Sequence, residues 1–322
     1  MASLRGPATS VRRPKCSSIW ERRGGRHEWR PYGRPHATHI RPDNLAPSPR
    51  PIIPNSRFRI CKGGFPMSSK VLLILVDGMR PDAVLNNPRL KAYYEDSLHD
   101  FAAQTTFPPV TLPCHMSLFH SVGSERHGIT TNTFVPQNHP VRGLVETLHD
   151  AGKTTAFFYT WAELRDLCTP GECLSFSWFM KPGQLPYPEV EHRATAACKA
   201  YIDEFAPDFA FLYLGATDEI GHDVGWMTKA YEDEVDNATS CILDITATLP
   251  KEYAVIVTAD HGGHGRNHGD DVPEDMTIPI LYRGDEFKPG VGRGFNIKDI
   301  APTIAKLLGV APDRNWEGTS RL

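Results

Sequence analysis

Acidic and histidine side chains follow three separate apolar runs of the sequence, at the point where each run ends. Each run has the length of a short buried strand. The runs and the side chains that follow them are 71–76 with Asp77, 209–214 with Asp218 and His222, and 253–258 with Asp260 and His261. Because ligands of open α/β sheets bind outside the carboxyl ends of the strands, the sequence predicts that these side chains meet in one site.

The third of these segments continues into a loop rich in histidine and glycine. Its histidines are His261, His264 and His268, and the glycines between them let the backbone approach a ligand closely. Aspartate and imidazole together suit zinc or a similar first-row divalent ion. A polar surface loop is the alternative interpretation, but the side chains that follow the other two runs weigh against it.

A threonine, Thr111, stands at the predicted start of a helix, directly after Pro108, Pro109 and Val110. A threonine in that position is usually a helix N-cap, so a purely structural role is one interpretation. The other is a nucleophile, because Thr111 follows the first strand with a candidate metal ligand. A hydroxyl attacks near neutral pH only when a base or a metal lowers its pKa, and two cations roughly 4 Å apart would do so.

Strands and helices alternate from residue 70 onward. This pattern predicts an α/β fold with a mostly parallel central sheet and helices on both faces. The predicted strands are 71–76, 153–159, 209–214, 253–258 and 278–282, and the predicted helices are 111–121, 141–151, 189–205, 229–249 and 297–308.

The first 66 residues differ from the rest in composition. They carry 14 Lys and Arg against three acidic residues, a net charge of +11, so the remainder of the chain sums to −14. Without a hydrophobic period, residues 1–66 are predicted to form a disordered basic extension. Three interpretations remain: a tail for nucleic acid or anionic surfaces, a transit peptide, or a segment outside the native protein. We favour the last, because Met67 precedes the first strand as a natural start would.

Cysteine use and hydropathy favour a cytoplasmic protein without a membrane partner. The seven cysteines are odd in number and form no CxxC pair, so free thiols in a reducing compartment are expected. No stretch of about 18 apolar residues is found, which argues against a transmembrane helix. The sequence leaves the oligomeric state open.

Five short motifs, in order, resemble those of the alkaline phosphatase superfamily, and most closely its type I phosphodiesterase / nucleotide pyrophosphatase branch. The motifs are Asp77-Gly78-Met79-Arg80, Thr111-Leu112-Pro113-Cys114-His115, Asp218-Glu219-Ile220-Gly221-His222, Asp260-His261-Gly262 and Asn267-His268-Gly269. Each motif is weak alone, but five in the same order are specific. The resemblance implies that residues 67–322 form an alkaline phosphatase-like catalytic domain.

The resemblance also implies a cofactor and an activity. Two divalent ions, Zn²⁺ or alternatively Mn²⁺, would be held by two ligand sets. These sets are Asp218, His222 and His268 for one ion, and Asp77, Asp260, His261 and the Thr111 oxygen for the other. The implied activity is hydrolysis of a small-molecule phosphate ester through a phosphothreonine, most closely as a phosphodiesterase / nucleotide pyrophosphatase. A phosphomonoesterase, a phosphonate hydrolase and a phosphomutase are the alternatives. A non-catalytic protein that binds nucleic acid through the basic extension is a less favoured one.

Four further residues are candidates for substrate binding. The resemblance implies an asparagine that donates to a phosphate oxygen at the position of Cys114, whose thiol is a weak donor; backbone N–H groups near Leu112 would then substitute. Arg80 would pair with phosphate or, as we favour, with Asp82. His115 would orient the Thr111 helix or donate to the site, and His264 would touch substrate.

A sulfatase is disfavoured, because the chain lacks the C/S-x-P-x-R motif at the nucleophile.

Overall fold

A computed structural model describes residues 70–137, 139–168 and 172–322. The predictions for residues 1–66, and for a domain boundary before Met67, lie outside the described residues. Within the described ranges, no helix combines the length and the apolar character needed to cross a membrane.

The core of the described chain is one mixed sheet of eight strands in the order β4-β3-β5-β1-β6-β7-β2-β8. The strands are β1 Lys70–Val76, β2 Leu98–Gln104, β3 Thr155–Tyr159, β4 Phe176–Phe179, β5 Phe209–Leu214, β6 Tyr253–Thr258, β7 Thr277–Arg283 and β8 Gly290–Val291. Strands β4, β3, β5, β1 and β6 run parallel, and β7 is antiparallel to both of its neighbours, β6 and β2. The predicted mostly parallel sheet is therefore confirmed.

Helices cover both faces of this sheet. They are α1 Pro81–Asn86, α2 Pro88–Glu95, α3 Thr111–His120, α4 Ser124–His127, α5 Leu144–Asp150, α6 Tyr187–Phe205, α7 Ala216–Val224, α8 Lys229–Ala247, α9 Pro273–Met276 and α10 Ile300–Leu307, with 3₁₀ turns at Ala162–Leu167 and Ile297–Asp299. Helices α3, α5 and α10 pack together, while α6, α7 and α8 form a second packed group.

The three strands that precede the candidate ligands lie side by side in the middle of the sheet. Strand β1 pairs with β5 on one side and with β6 on the other. Residues 71–76 and all of β5 and β6 are buried, because helices cover both faces and leave no polar face to the strands. The central position of these strands brings the segments that follow them to one edge of the sheet.

Candidate metal centre

The candidate ligands extend from the carboxyl ends of β1, β5 and β6. Asp77 directly follows β1, and Asp260 follows β6 after a single residue. Asp218 lies in the first turn of α7 and His222 lies four residues later, so both side chains point from one face of the helix.

Asp218, His222 and His268 form the first ligand group, whose donor atoms all lie within 4.8 Å of one another. The Nε2 atoms of His222 and His268 lie 3.5 and 3.6 Å from the two carboxylate oxygens of Asp218. The Nδ1 atoms of these histidines face the carbonyl oxygens of Arg266 and Pro109, at 3.0 and 2.8 Å. A metal-binding histidine commonly donates its other ring N–H to a group such as a backbone carbonyl. A bond from Nδ1 leaves the Nε2 lone pair available for a metal ion.

Asp77, Asp260 and His261 form the second group, and all three are buried. The Nε2 atom of His261 lies 3.3 Å from Asp77 Oδ1 and 3.3 Å from Asp260 Oδ2. Its Nδ1 faces the Gly262 carbonyl oxygen at 2.8 Å. The second group therefore has the same orientation of imidazole that the first group has.

Thr111 lies beside the second group. Its hydroxyl lies 3.3 Å from Nε2 of His261. Thr111 is the first residue of α3, and the N-cap is Val110, which has extended backbone and no side-chain capping bond. The structure thus gives Thr111 no N-cap role and places its hydroxyl among the candidate ligands.

Unsatisfied carboxylate oxygens show that these residues fit a cation. Asp77 Oδ1, Asp218 Oδ1 and Asp260 Oδ2 are buried without a hydrogen-bond partner among the described residues. An orphaned buried oxygen is costly, and each of these three faces a histidine nitrogen of its own group. Divalent ions that accept both oxygen and imidazole ligands would satisfy all three oxygens at once.

The raised pKa values of Asp77 and Asp218 lead to the same conclusion. Burial, together with the charges of Asp260 and Asp218, raises the pKa of Asp77 well above its usual range. Burial raises the pKa of Asp218 to about 6. Burial also raises the pKa of Asp260, but the charges of His261 and His115 outweigh it and lower that pKa. Carboxylates this close and this dry repel one another, and a cation between them would remove the repulsion.

The other predicted residues have structural contacts. The guanidinium of Arg80 binds both oxygens of Asp82, at 2.9 and 2.6 Å, and the Gly263 carbonyl at 2.9 Å, which is the structural pairing that we favoured. The contacts of the remaining three are as follows: Cys114 Sγ lies 3.6 Å from the Thr106 and Pro108 carbonyl oxygens, His115 Nδ1 lies 2.8 Å from the Thr111 carbonyl oxygen, and His264 Nδ1 lies 2.7 Å from Asp275.

Cys114 has no surface with which to touch a substrate in this structure. Its side chain is fully buried, Thr105 donates to its sulfur at 3.2 Å, and burial raises its pKa to about 12. The thiol therefore serves the packing of the segment before α3.

Asn132 is a candidate that the sequence motifs missed. Its Oδ1 accepts the Leu112 N–H at 2.9 Å, one residue after Thr111, and the residue is exposed. Its amide group therefore lies at the amino-terminal end of α3, where N–H groups lack intrahelical partners. The sequence shows only that N–H groups at the start of α3 need an acceptor. It does not show that the acceptor is a residue 20 positions further along the chain.

Comparison with known proteins places this site in a family. Residues 71–273 match the family described as type I phosphodiesterase / nucleotide pyrophosphatase. The chain is 23% identical over 279 residues to the human GPI ethanolamine phosphate transferase 2, catalytic subunit, covering 79% of this chain and 28% of that protein. It is 32% identical over 93 residues to phosphopentomutase of Symbiobacterium thermophilum, covering 26% of this chain and 23% of the relative. The chain thus spans less than a third of the length of these relatives.

Solved structures with low sequence identity share the fold. Murine ectonucleotide pyrophosphatase / phosphodiesterase 5, an inactive variant in complex with AMP, matches with a TM-score of 0.63 at 17% identity, over 76% of this chain and 96% of that one. A 2-O GAG sulfatase matches with a TM-score of 0.65 at 13% identity, over 79% and 73%. The sequence match extends over most of the described chain, and the fold agrees with it. The chain belongs to the type I phosphodiesterase / nucleotide pyrophosphatase family, within the alkaline phosphatase superfamily.

Proposed function

We propose that this chain is a two-metal phosphoric ester hydrolase with Thr111 as its nucleophile, acting as a phosphodiesterase of the nucleotide pyrophosphatase type. The observation that carries the proposal is the position of the Thr111 hydroxyl, 3.3 Å from His261, in a buried group with orphaned carboxylate oxygens. A buried threonine at a helix start has no need of such neighbours for stability.

The two ligand groups give each residue a role. Asp218, His222 and His268 would hold one ion, and Asp77, Asp260, His261 and the Thr111 oxygen would hold the other. Zn²⁺ suits this donor set best, with Mn²⁺ as the alternative. When bound, the ions would lower the pKa of the Thr111 hydroxyl and neutralise charge on the phosphoryl oxygens.

The reaction would proceed in two steps. The Thr111 hydroxyl would lose its proton to solvent and attack phosphorus in line with the ester oxygen, which would leave with the bonding electrons and take up a proton as the phosphothreonine forms. Water then attacks the same phosphorus, the bond to Thr111 breaks, and the threonine hydroxyl is restored.

Asn132 is our proposed donor to a phosphoryl oxygen. Its Oδ1 accepts the Leu112 N–H, which orients the side chain towards the start of α3 and leaves the –NH₂ group to donate. Donors that are fixed before the reaction stabilise developing charge effectively. This assignment replaces the donor that the resemblance implied at Cys114.

The comparisons support the proposed substrate class. The complex of ectonucleotide pyrophosphatase / phosphodiesterase 5 with AMP supports a small-molecule phosphate ester as the substrate of this chain. The match to phosphopentomutase makes phosphomutase activity the second candidate, in which the phosphoryl group returns to a sugar hydroxyl and not to water.

Metal analysis and an ester panel test the proposal. Purified wild-type protein should hold close to two divalent ions per chain and hydrolyse p-nitrophenyl diesters faster than the monoester. Thr111→Ala should lose nearly all turnover while its metal content is kept, and Thr111→Ser, which retains a hydroxyl, should keep part of it. Full turnover by the alanine variant would refute the nucleophile. A preference for the monoester, or transfer only to a sugar hydroxyl, would favour the alternatives.

A further inference from the structure

Trp226 lies against the first ligand group although it carries no ligand atom. It follows the end of α7, separated from it by Gly225, and only 6% of its side chain surface is exposed. Its ring centroid lies 5.1 Å from that of His222, at an interplanar angle of 88°, and 6.0 Å from that of His268. The indole therefore contacts two of the three ligands of this group edge to face.

The indole is also pressed onto the backbone of two segments that carry ligands. A Cβ atom added at Gly221 or at Gly263 would lie 2.7 or 2.2 Å from an indole carbon, far closer than two carbon atoms can approach. Gly221 precedes His222 in α7, and Gly263 belongs to the loop between His261 and His268. Glycine at both positions lets the tryptophan pack directly against both backbone segments.

Hydrogen bonds connect Trp226 to a third segment and fix its own position. Its indole N–H donates to the Gly78 carbonyl at 2.9 Å, and its backbone N–H donates to the Gly265 carbonyl at 2.8 Å. Gly78 directly follows Asp77, and a Cβ added there would lie 3.1 Å from Asp218 Oδ1. The Gly78 carbonyl, which also accepts from the Tyr231 hydroxyl at 2.9 Å, thus belongs to a residue that follows Asp77 in the sequence and packs against Asp218.

We infer that Trp226 is a positioning residue that holds Asp218, His222 and His268 in ligand geometry and sets their position relative to Asp77. The inference rests on the proposed metal centre. It extends that proposal from the ligands to the side chain that contacts all three ligand-bearing segments. Side chains that orient metal ligands typically change metal affinity about 10- to 100-fold when they are removed.

Trp316 offers a control for the loss of an indole hydrogen bond at a more exposed position away from the ligands. Its indole N–H donates to the Arg142 carbonyl at 2.8 Å, so replacing either tryptophan by phenylalanine removes the same kind of bond. Trp316 lies in the carboxyl-terminal segment after α10, and its described contacts involve none of the candidate ligands.

Titration of the metal-free proteins with Zn²⁺ against a competing chelator tests the inference. Wild type should bind two ions. Trp226→Phe should bind one ion about tenfold or more weaker than wild type and the other nearly as well, whereas Trp316→Phe should bind both as wild type does. Co²⁺ should also quench part of the wild-type tryptophan fluorescence, and that part should disappear in Trp226→Phe and persist in Trp316→Phe.

The outcomes separate this inference from the proposed function. Wild-type affinities at both sites in Trp226→Phe would overturn the inference and leave the metal centre intact. A wild-type chain that binds fewer than two ions would contradict the metal centre itself. Circular dichroism of the metal-free variants checks folding, with Trp226→Tyr as a second substitution. If neither variant folds without metal, the tryptophan serves the fold as a whole and the positioning role is refuted.

Discussion

The imidazole rings of His261 and His268 stack on each other, with centroids 3.8 Å apart and an interplanar angle of 19°. The two residues belong to different ligand groups, so one short loop after β6 supplies both groups. Complete removal of one ring would therefore take away the surface against which the other ring packs.

This stacking predicts that His268→Ala affects both ions. The variant loses a ligand of the first group and removes the ring that supports His261, so we expect it to bind one ion instead of two, with the remaining ion about tenfold weaker. His222→Ala is the control, since it also removes a ligand of the first group but its described ring contacts are with His268 and Trp226. Chelator competition with Zn²⁺ measures both. Equal affinity for the remaining ion in the two variants would contradict the coupling.

Tyr213 should control the second ligand group through a single hydrogen bond. Its buried hydroxyl donates to Asp77 Oδ2, which leaves Asp77 Oδ1 to face His261. Tyr213→Phe is therefore expected to weaken binding of one ion by about 10- to 100-fold, as measured by the same competition.

Tyr253→Phe is the matched control for this prediction. Tyr253 is also buried, and its hydroxyl donates to the Pro207 carbonyl at 2.7 Å, away from the ligands. Both variants should lose about 1–2 kcal/mol of stability in thermal unfolding. If the two variants bind metal equally well, the Tyr213 hydroxyl has no role beyond stability.

Asn132 and Cys114 should respond in opposite ways to substitution. Asn132→Ala removes the proposed donor to phosphate and should lower kcat about 10²- to 10³-fold without loss of metal. Cys114→Asn introduces the residue that the resemblance implied, into a fully buried position, so it should destabilise the protein by about 1–3 kcal/mol and not raise kcat. Steady-state kinetics with one diester, together with thermal unfolding, measures both. Faster turnover in Cys114→Asn would show that the implied position was the correct one.

The sequence predicted the centre of the fold better than its edges. Strands β5 and β6 have the predicted bounds, because their apolar runs are six residues long, rich in aromatic or β-branched residues and buried on both faces. Strand β2, with the sequence Leu-His-Asp-Phe-Ala-Ala-Gln, was not predicted. Its burial is mixed and a bulge interrupts its pairing with β7, so no regular alternation marks it. The predicted helix 297–308 begins as a 3₁₀ turn, Ile297–Asp299.

The candidate site was predictable where ligands follow strands, since strand order fixes where those residues meet. Asn132 and Trp226 were not predictable in this way. Both contact backbone groups of distant segments, the Leu112 N–H and the Gly78 carbonyl. Because every residue carries such backbone groups, a sequence motif does not reveal these contacts. Contacts of this kind appear only when the loops have been placed in space.

Glu191 provides a pH-dependent test of how α7, the helix that carries Asp218 and His222, is held. This side chain of α6 is fully buried, and its Oε1 accepts the Ala216 N–H at the start of α7 at 2.7 Å. Its Oε2 accepts from the Asn237 amide at 3.1 Å. Burial nevertheless dominates and raises its pKa to about 8, from the ordinary value of 4.5.

The sign of the pH effect follows from this shift. At a pH between 4.5, the ordinary pKa of the unfolded chain, and about 8, the pKa in the folded protein, native Glu191 holds a proton that the unfolded chain has released. The contribution of Glu191 to stability is therefore complete below pH 4.5 and is lost as the pH rises towards 8. Glu191→Gln cannot ionise and should lose nothing over this window. The free energy of unfolding of the variant, relative to wild type, should therefore rise by roughly 3 kcal/mol between pH 5 and pH 8.

Denaturant unfolding of metal-free wild type and metal-free Glu191→Gln at several pH values measures this difference. Metal is left out so that pH-dependent metal binding by the candidate ligands does not contribute to the measured stability. Glu189→Gln is the control, because Glu189 lies one half-turn earlier in α6, forms an exposed pair with Arg193 and should give a difference from wild type that is flat with pH. A Glu191→Gln difference as flat as that of the control would show that Glu191 ionises in the folded protein as it does in water. The Ala216 N–H would then be held by an ordinary carboxylate, with no penalty for its burial.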